Sequence, residues 1–347
     1  MTKRLTGMLL ALLLALTLFP LAADAADNNG SFGITENPRE NIRFILGSNK
    51  LTVANLPNKA AFGSVWVNIV NLDGRILIKQ ILDRTADGSV SMSLSGLSSG
   101  KYYIELYFST AGDHYTSYIF GDEIRFQWSN GSGEFILSPV YEHNKKTYDA
   151  GRSDNAALAH YLSPTRTIQS SDAGIVKLAA EITNGITDEY NKALAIHDWV
   201  CVNIWYDWDV AGSGRRTEGD AVSTLKNRRA VCNGYSNLTA ALLRAVGIPA
   251  KTVNGFGRTT RTGGWTQSKI SGNSTNHVWN EAYVDGRWII IDTTWDSGND
   301  YRGGKKVASD GLYYSRYFDA TLEAISINHR IHPYAESSIP QPLNSYR

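Results

Sequence analysis

The sequence predicts an α+β protein, a small β-sandwich followed by a unit that mixes helices with strands. Three observations lead there. Residues from Ser64 to Leu137 break into short alternating apolar segments with no helical period. From Asp172 onward, apolar residues recur at helical spacing behind acidic capping residues. Further on, two apolar runs flank Asp285-Gly286, a dipeptide that favours a two-residue hairpin turn.

The chain has 347 residues, enough for about two domains. The expected division is a signal peptide over 1–25, a β-sandwich over 26–149 and the mixed unit over 150–347. Lys plus Arg number 34 and Asp plus Glu 33, for a net charge of +1. That balance gives no electrostatic case for nucleic acid or an anionic membrane as partner.

Lys3 and Arg4 precede an apolar run from Met8 to Phe19. The run has the length of a secretory h-region and is short for a membrane span. Ala23-Asp24-Ala25 places small residues where signal peptidase reads them, so cleavage is expected after Ala25. An uncleaved anchor is the alternative. No cysteine follows the run to carry a lipid, and no second run is long enough to span a membrane. The expected product is secreted.

Export makes the two cysteines, Cys201 and Cys232, informative. They form one disulfide, or one is a working thiol and the other is buried. A chain this long builds its cores without covalent help, which favours the second reading.

In the front half, Ala26 to Asn37 is polar and expected to be loosely ordered. Strands are expected at 64–70, 75–82, 89–94, 101–108, 123–128 and 133–137. Their rhythm resembles the immunoglobulin-like accessory modules of exported bacterial proteins. It leaves open whether the module binds something or acts as a spacer.

In the rear half, Asp172 is placed to cap one helix and Thr187-Asp188-Glu189 to start another. On the second, Tyr190, Ala193, Leu194, His197, Val200, Cys201 and Ile204 share one face. Cys201 therefore reads as a small apolar core residue and His197 as a satisfied core histidine. Residues 205–209 end that helix. Cys232 stands at the mouth of the next, whose stripe is Leu238, Ala241, Leu242 and Ala245 and whose stop is Gly247 then Pro249. Residues 250–257 read as a strand, and 258–276 as a long loop forming one wall of a cleft.

Across Asp285-Gly286, a two-residue turn pairs Val284 with Arg287. Continued without a bulge, that register sets His277 opposite Thr294 and Asp292 opposite Trp279. Asp292 and His277 then share a face as diagonal neighbours, about 7–8 Å apart at the backbone. An aspartate can thus orient an imidazole, and Cys232 lies upstream at a helix N-terminus that favours its thiolate. Cys232, His277 and Asp292 are accordingly the candidate nucleophile, base and orienting acid. The Cys232 backbone N–H is one oxyanion donor, and Tyr206, Trp205 and Trp208 are candidates for the second. A structural ion pair between His277 and Asp292 is the competing reading. His329 and His332 lack a third ligand and read as part of a surface turn, so no metal is expected.

With these residues in hand, positions 150 to 335 resemble the transglutaminase-like superfamily, in its bacterial exported branch. The resemblance rests on Ala230-Val231-Cys232-Asn233-Gly234-Tyr235-Ser236, Gly247-Ile248-Pro249-Ala250, Asn276-His277-Val278-Trp279-Asn280-Glu281 and Trp288-Ile289-Ile290-Ile291-Asp292-Thr293-Thr294-Trp295-Asp296. Ala195-Ile196-His197-Asp198-Trp199-Val200 fits the preceding helix. It implies a papain-like α+β core and assigns nucleophile, base and orienting acid to Cys232, His277 and Asp292, acting on protein or peptide amides through a thioester. The animal enzymes of the family need calcium, but no EF-hand-like loop appears here, so no obligatory metal and no cofactor are expected. The family spans cross-linking, deamidation and peptide hydrolysis, and includes inactive members. A non-catalytic surface or cell-wall binding module is therefore the alternative to an enzyme.

Overall fold

The computed structural model describes residues 31–33, 42–56, 64–109, 115–150, 155–211, 213, 219–259, 264–307 and 315–332. The expected signal peptide with its cleavage point after Ala25, and the tail from Pro333, lie outside the described residues.

Among the described residues, nine strands make up the front half. They are β1 (Ser31–Gly33), β2 (Arg43–Gly47), β3 (Lys50–Ala54), β4 (Ser64–Asn71), β5 (Ile76–Asp83), β6 (Val90–Ser93), β7 (Gly100–Ser109), β8 (Tyr115–Ser129) and β9 (Ser132–Ile136). Two antiparallel sheets result, ordered β1-β2-β3-β6 and β5-β4-β7-β8-β9. Phe44, Leu51, Val53 and Met92 of the first sheet share one core with Val67, Ile104, Phe126 and Trp128 of the second. Alternation is what allows this, since successive side chains of a strand point to opposite faces. β2 and β6 are buried at every second residue. The expectation of loose order before residue 37 fails at Ser31–Gly33, which pairs with β2 from Ser31↔Ile45 to Gly33↔Arg43. No local pattern marks so short a strand; its partner makes it.

After α1 (Pro139–Ala150) and a 3₁₀ segment (Asn155–Leu162), the rear half runs α2 (Ala173–Ile182), α3 (Glu189–Asn203), β10 (Trp205–Asp207), α4 (Trp208–Ala211), α5 (Ala221–Asn227), β11 (Arg229–Ala230) and α6 (Cys232–Ala245). It continues through β12 (Ala250–Gly257), α7 (Gln267–Ser271), β13 (His277–Val284), β14 (Arg287–Ile291), α8 (Thr293–Asp296), β15 (Asp300–Arg302), β16 (Lys305–Val307), α9 (Leu322–Ile325) and β17 (His329–Ile331). The 258–276 stretch, read as loop, thus contains the short helix α7. An antiparallel sheet β14-β13-β12-β17 backs the unit, and a small sheet β11-β10-β15-β16 flanks it.

Both acidic caps form as the sequence requires. Asp172 accepts from the Gly174 and Ile175 N–H groups, and Asp188 from that of Asn191. Helix α6 is buried more widely than an amphipathic stripe, with every residue from Leu238 to Arg244 buried. It is a core helix, enclosed by α2, α3, α5 and the sheet, which its small residues Gly234, Ser236, Ala240 and Ala241 permit. Arg244 near its C-terminus donates to the Ala250 and Ser163 carbonyls at 2.6–2.8 Å. The guanidinium thereby locks the helix end to the start of β12.

The two halves are knitted together near β17. Ala320, Ala324 and Ile327 enter the front core. From α1, Asn144 donates to Ser326 Oγ and the His329 carbonyl at 2.8–2.9 Å and accepts from the Ile331 N–H at 2.7 Å.

Candidate active site

β11 leads into Val231, the N-cap of α6, which supplies no side-chain cap. Cys232 is therefore the first helical residue, with uncapped first-turn N–H groups around it. Both cysteines are free thiols, Cys232 partly exposed and Cys201 buried. The disulfide alternative is excluded.

His277 opens β13 opposite Gly255 of β12. The preceding residue fixes this entry: the Asn276 amide accepts from the Gly257 N–H at 2.7 Å and donates to the Gly257 carbonyl at 3.0 Å. An amide side chain here does the work of one more ladder residue. The His277 ring is buried among Trp279, Trp295 and His329.

The Asp285-Gly286 turn forms with positive φ at both residues, as a type I′ turn requires. Pairing runs from Val284↔Arg287 to Asn280↔Ile291, in the expected register. It stops there. The extrapolated pairs Asp292 with Trp279 and His277 with Thr294 are not made, because Asp292 caps the one-turn helix α8. Its Oδ1 accepts from the Thr294 and Trp295 N–H groups at 3.0 and 3.2 Å. A short acidic side chain that satisfies its own downstream backbone competes with the strand ladder, and here it wins. The same carboxylate still reaches the histidine, with Oδ2 2.6 Å from His277 Nε2. That leaves Nδ1 for the side of Cys232, whose thiol is near enough to raise the proton affinity of the His277 ring.

Residues 176–293 match the family model of the transglutaminase-like superfamily. The match spans all three residues just placed. Residues 176–293 are thus similar to the transglutaminase-like core. Over 126 residues the chain is 29% identical to kyphoscoliosis peptidase of Mus musculus, covering 36% of this chain and 19% of that protein. The human protein of the same name matches over 129 residues at 29% identity, covering 37% and 19%. The chain thus spans about a fifth of the curated relatives it matches. A solved structure from Cytophaga hutchinsonii, described as a candidate cysteine protease, is 20% identical with a TM-score of 0.33, covering 81% of this chain and 75% of that one.

Beside the transglutaminase-like core stands a residue that the sequence reading misplaced. His329 is not in a surface turn. It is fully buried on β17, opposite Gly257, and its Nε2 lies 3.0 Å from the same Asp292 Oδ2. It falls outside the family match, and the apolar alternation at Ile327, His329 and Ile331 was its only local signal. The donor atoms of His277, Asp292 and His329 all lie within 4.8 Å of one another, close enough for a three-ligand metal site. Both imidazoles are already at hydrogen-bonding distance from one carboxylate oxygen, so the arrangement reads as a proton network.

Charge divides unequally across that network. Burial alone would lower His277, but the charge and hydrogen bond of Asp292, with the contributions of Cys232, push it up to about 10. Burial lowers His329 to about 4, helped by the charges of His277 and Arg316 against the pull of Asp292. Burial would raise Asp292, but His277 and His329 together hold it well below the usual carboxylate range. The ground state is an imidazolium at 277, a carboxylate at 292 and a neutral ring at 329.

These directions set a pH dependence of stability. The His277 contribution is complete below the unfolded histidine value of about 6.5 and is lost as pH rises through about 10. His329 acts oppositely: its contribution is complete above about 6.5 and is lost as pH falls toward about 4. The urea midpoint is expected to decline on both sides of a maximum at pH ~6.5. A midpoint that rises between pH 6.5 and 4 would contradict the assignment of His329.

The three oxyanion candidates separate. Tyr206 pairs with Ala230 across β10 and β11, next to Cys232. Burial above all, then the charges of Cys232, Asp292 and Asp300, push its phenol up to about 12, so it stays a donor. Trp205 neighbours it on the strand and faces the other way; Lys306 sits 4.0 Å from its ring. Trp208 is corrected, because its indole N–H is spent on Asp300 Oδ1 at 2.7 Å.

A second thiol–imidazole–carboxylate set lies beneath the first. His197 Nε2 is 3.0 Å from Asp296 Oδ2 and 3.5 Å from Cys201 Sγ, and its Nδ1 is 3.0 Å from Asp198. Burial chiefly pushes the Cys201 thiol up to about 11. Fully enclosed and protonated, it is no nucleophile. Cys201 Sγ also points to the Thr293 carbonyl at 3.5 Å. The set therefore anchors α8 to α3 at the first residue after Asp292 and at Asp296. His197 is a satisfied core histidine as expected, while Cys201 is more polar in its contacts than an apolar filler.

Proposed function

We infer that the chain is an exported, cysteine-dependent acyl transferase or hydrolase of protein or peptide amide bonds. Supporting this is one constellation: a helix-terminal thiol near enough to raise the proton affinity of a buried imidazole, which is hydrogen-bonded in turn to a carboxylate. Cys232 is the nucleophile, His277 the proton carrier and Asp292 the group that orients it.

The Cys232 thiolate attacks the amide carbonyl carbon, and the carbonyl π pair moves onto oxygen. The Cys232 N–H and the Tyr206 hydroxyl receive that oxyanion. As the pair returns, the C–N bond breaks, and the His277 imidazolium gives its proton to the departing nitrogen. Neutral His277 then takes a proton from water or an acceptor amine, which attacks the thioester. The thiolate leaves, and imidazolium and thiolate are restored. Export rests on the basic, apolar and small-residue order of the first 25 residues. Among the described residues, no helix is long and apolar enough to cross a membrane.

The test incubates the protein with a library of glutamine-containing peptides and a labelled primary amine, followed by mass spectrometry. Amine incorporation, deamidation and backbone cleavage are then separate products, with Cys232→Ala as the blank. One of the three is expected. None of them, together with alkylation of Cys232 no faster than that of Cys201, would favour a non-catalytic binding module.

A further inference from the structure

The Asp292 carboxylate receives four hydrogen bonds. Two backbone N–H groups hold Oδ1, and two imidazoles share Oδ2, His277 at 2.6 Å and His329 at 3.0 Å. His329 is aimed by everything around it. Its ring lies 4.3 Å from that of Trp295, 5.0 Å from Trp279 and 5.2 Å from Tyr317. Its Nδ1 is 2.6 Å from Asn328 Oδ1, and Asn328 Nδ2 is 2.6 Å from the Tyr317 hydroxyl. A neutral ring that donates from Nε2 requires this amide in its flipped orientation, the NH₂ donating to Nδ1 and the oxygen accepting from the Tyr317 O–H. Its own carbonyl is held by Asn144 of α1. A ring that merely filled space would need none of these polar partners, and a buried imidazole directed at a carboxylate oxygen is there as a donor.

We propose that His329 is a positioning residue of the site, a neutral N–H that holds the Asp292 carboxylate in place and draws part of its charge away from His277. The role rests on the reading of Cys232, His277 and Asp292 given above. With both donors present, Asp292 stays anionic and fixed while His277 cycles between charged and neutral. Without His329, the charge on Oδ2 falls on His277 alone. The imidazolium then holds its proton more tightly and yields it less readily to a leaving amine. The charged and titratable groups facing His329 are Asp292, His277, Arg316 and Tyr317, so the effect is read through His277.

The test needs no substrate. Iodoacetamide alkylation of Cys232 is followed from pH 4 to 11, with the site read by mass spectrometry. The parent is expected to show an upper inflection as His277 loses its proton. His329→Phe keeps an aromatic ring and removes the donor, and its upper inflection is expected to move up by about half a pH unit or more. His329→Gln, which returns an N–H, is expected to restore it. A His329→Phe profile that superimposes on the parent overturns the proposal, as does a His329→Gln profile displaced as far as that of His329→Phe. Absence of the upper inflection in the parent would instead remove the Cys232–His277 pair and the function reading with it. Should His329→Phe fail to fold, long-range ¹H–¹⁵N spectra of the parent decide. A neutral ring protonated at Nε2 is expected for His329, and an unprotonated Nε2 overturns the assignment.

Discussion

Asp292→Asn is expected to lower turnover by a factor on the order of 10³–10⁴ while leaving the chain folded. Four N–H donors converge on this one carboxylate, two on each oxygen. An anion accepts them all. An amide offers one oxygen and one NH₂, so whichever way it turns, one pair of donors faces another donor. If the NH₂ meets His277, the imidazole must give up its Nε2 proton or rotate, and the relation of Nδ1 to the Cys232 sulfur is lost. If the NH₂ meets Thr294 and Trp295, the cap of α8 fails instead. Each buried donor left unpaired costs about 1–3 kcal/mol, so the urea midpoint is expected to drop as well. Initial rates on the best substrate of the product assay check the first part. A variant within tenfold of the parent would show that the carboxylate is dispensable.

Gly255→Ala is expected to destabilise the fold by about 3 kcal/mol. Gly255 sits on β12 between the two strands that carry the histidines, paired with His277 on one side and Ile331 on the other. A Cβ there would collide with the Arg330 carbonyl oxygen and the Trp279 indole. The first is backbone and the second is a fully buried ring, so neither can give way cheaply. Relief would push β13 and β17 apart and separate the imidazoles that share Asp292, so activity is expected to fall with stability. Gly264→Ala is the control, because a Cβ there meets nothing within 4 Å. Equal urea midpoints for the two variants would refute the packing argument.

Gly255 also shows where local reading stops. Its composition cue is a glycine in a strand, which signals close backbone approach without naming what approaches. The turn at Asp285-Gly286 was different, since the dipeptide alone specified both the turn and the pairing up to Asn280↔Ile291. Asp172 and Asp188 likewise announced their helices, because a cap acts on backbone two or three residues away. Asp292 was half legible: the hairpin brings it toward His277, but the register that was to pair it stops at Ile291, and its capping of α8 followed from a competition that periodicity does not weigh.

What the chain specifies through near neighbours is therefore readable from the letters alone: its strand rhythm, its capped helices, the helix that starts at Cys232 and the ribbon that carries His277 toward Asp292. These follow from turn chemistry, capping and periodicity, whose reach is a few residues. The docking of His329, 37 positions beyond Asp292, onto the same oxygen came only with folding. So did the strand at Ser31–Gly33, the sealed set around Cys201, and the pairing of the Trp208 indole N–H with Asp300. Each depends on a partner distant in sequence, and burial together with hydrogen-bond satisfaction, which select such partners, leave no periodic trace in the chain.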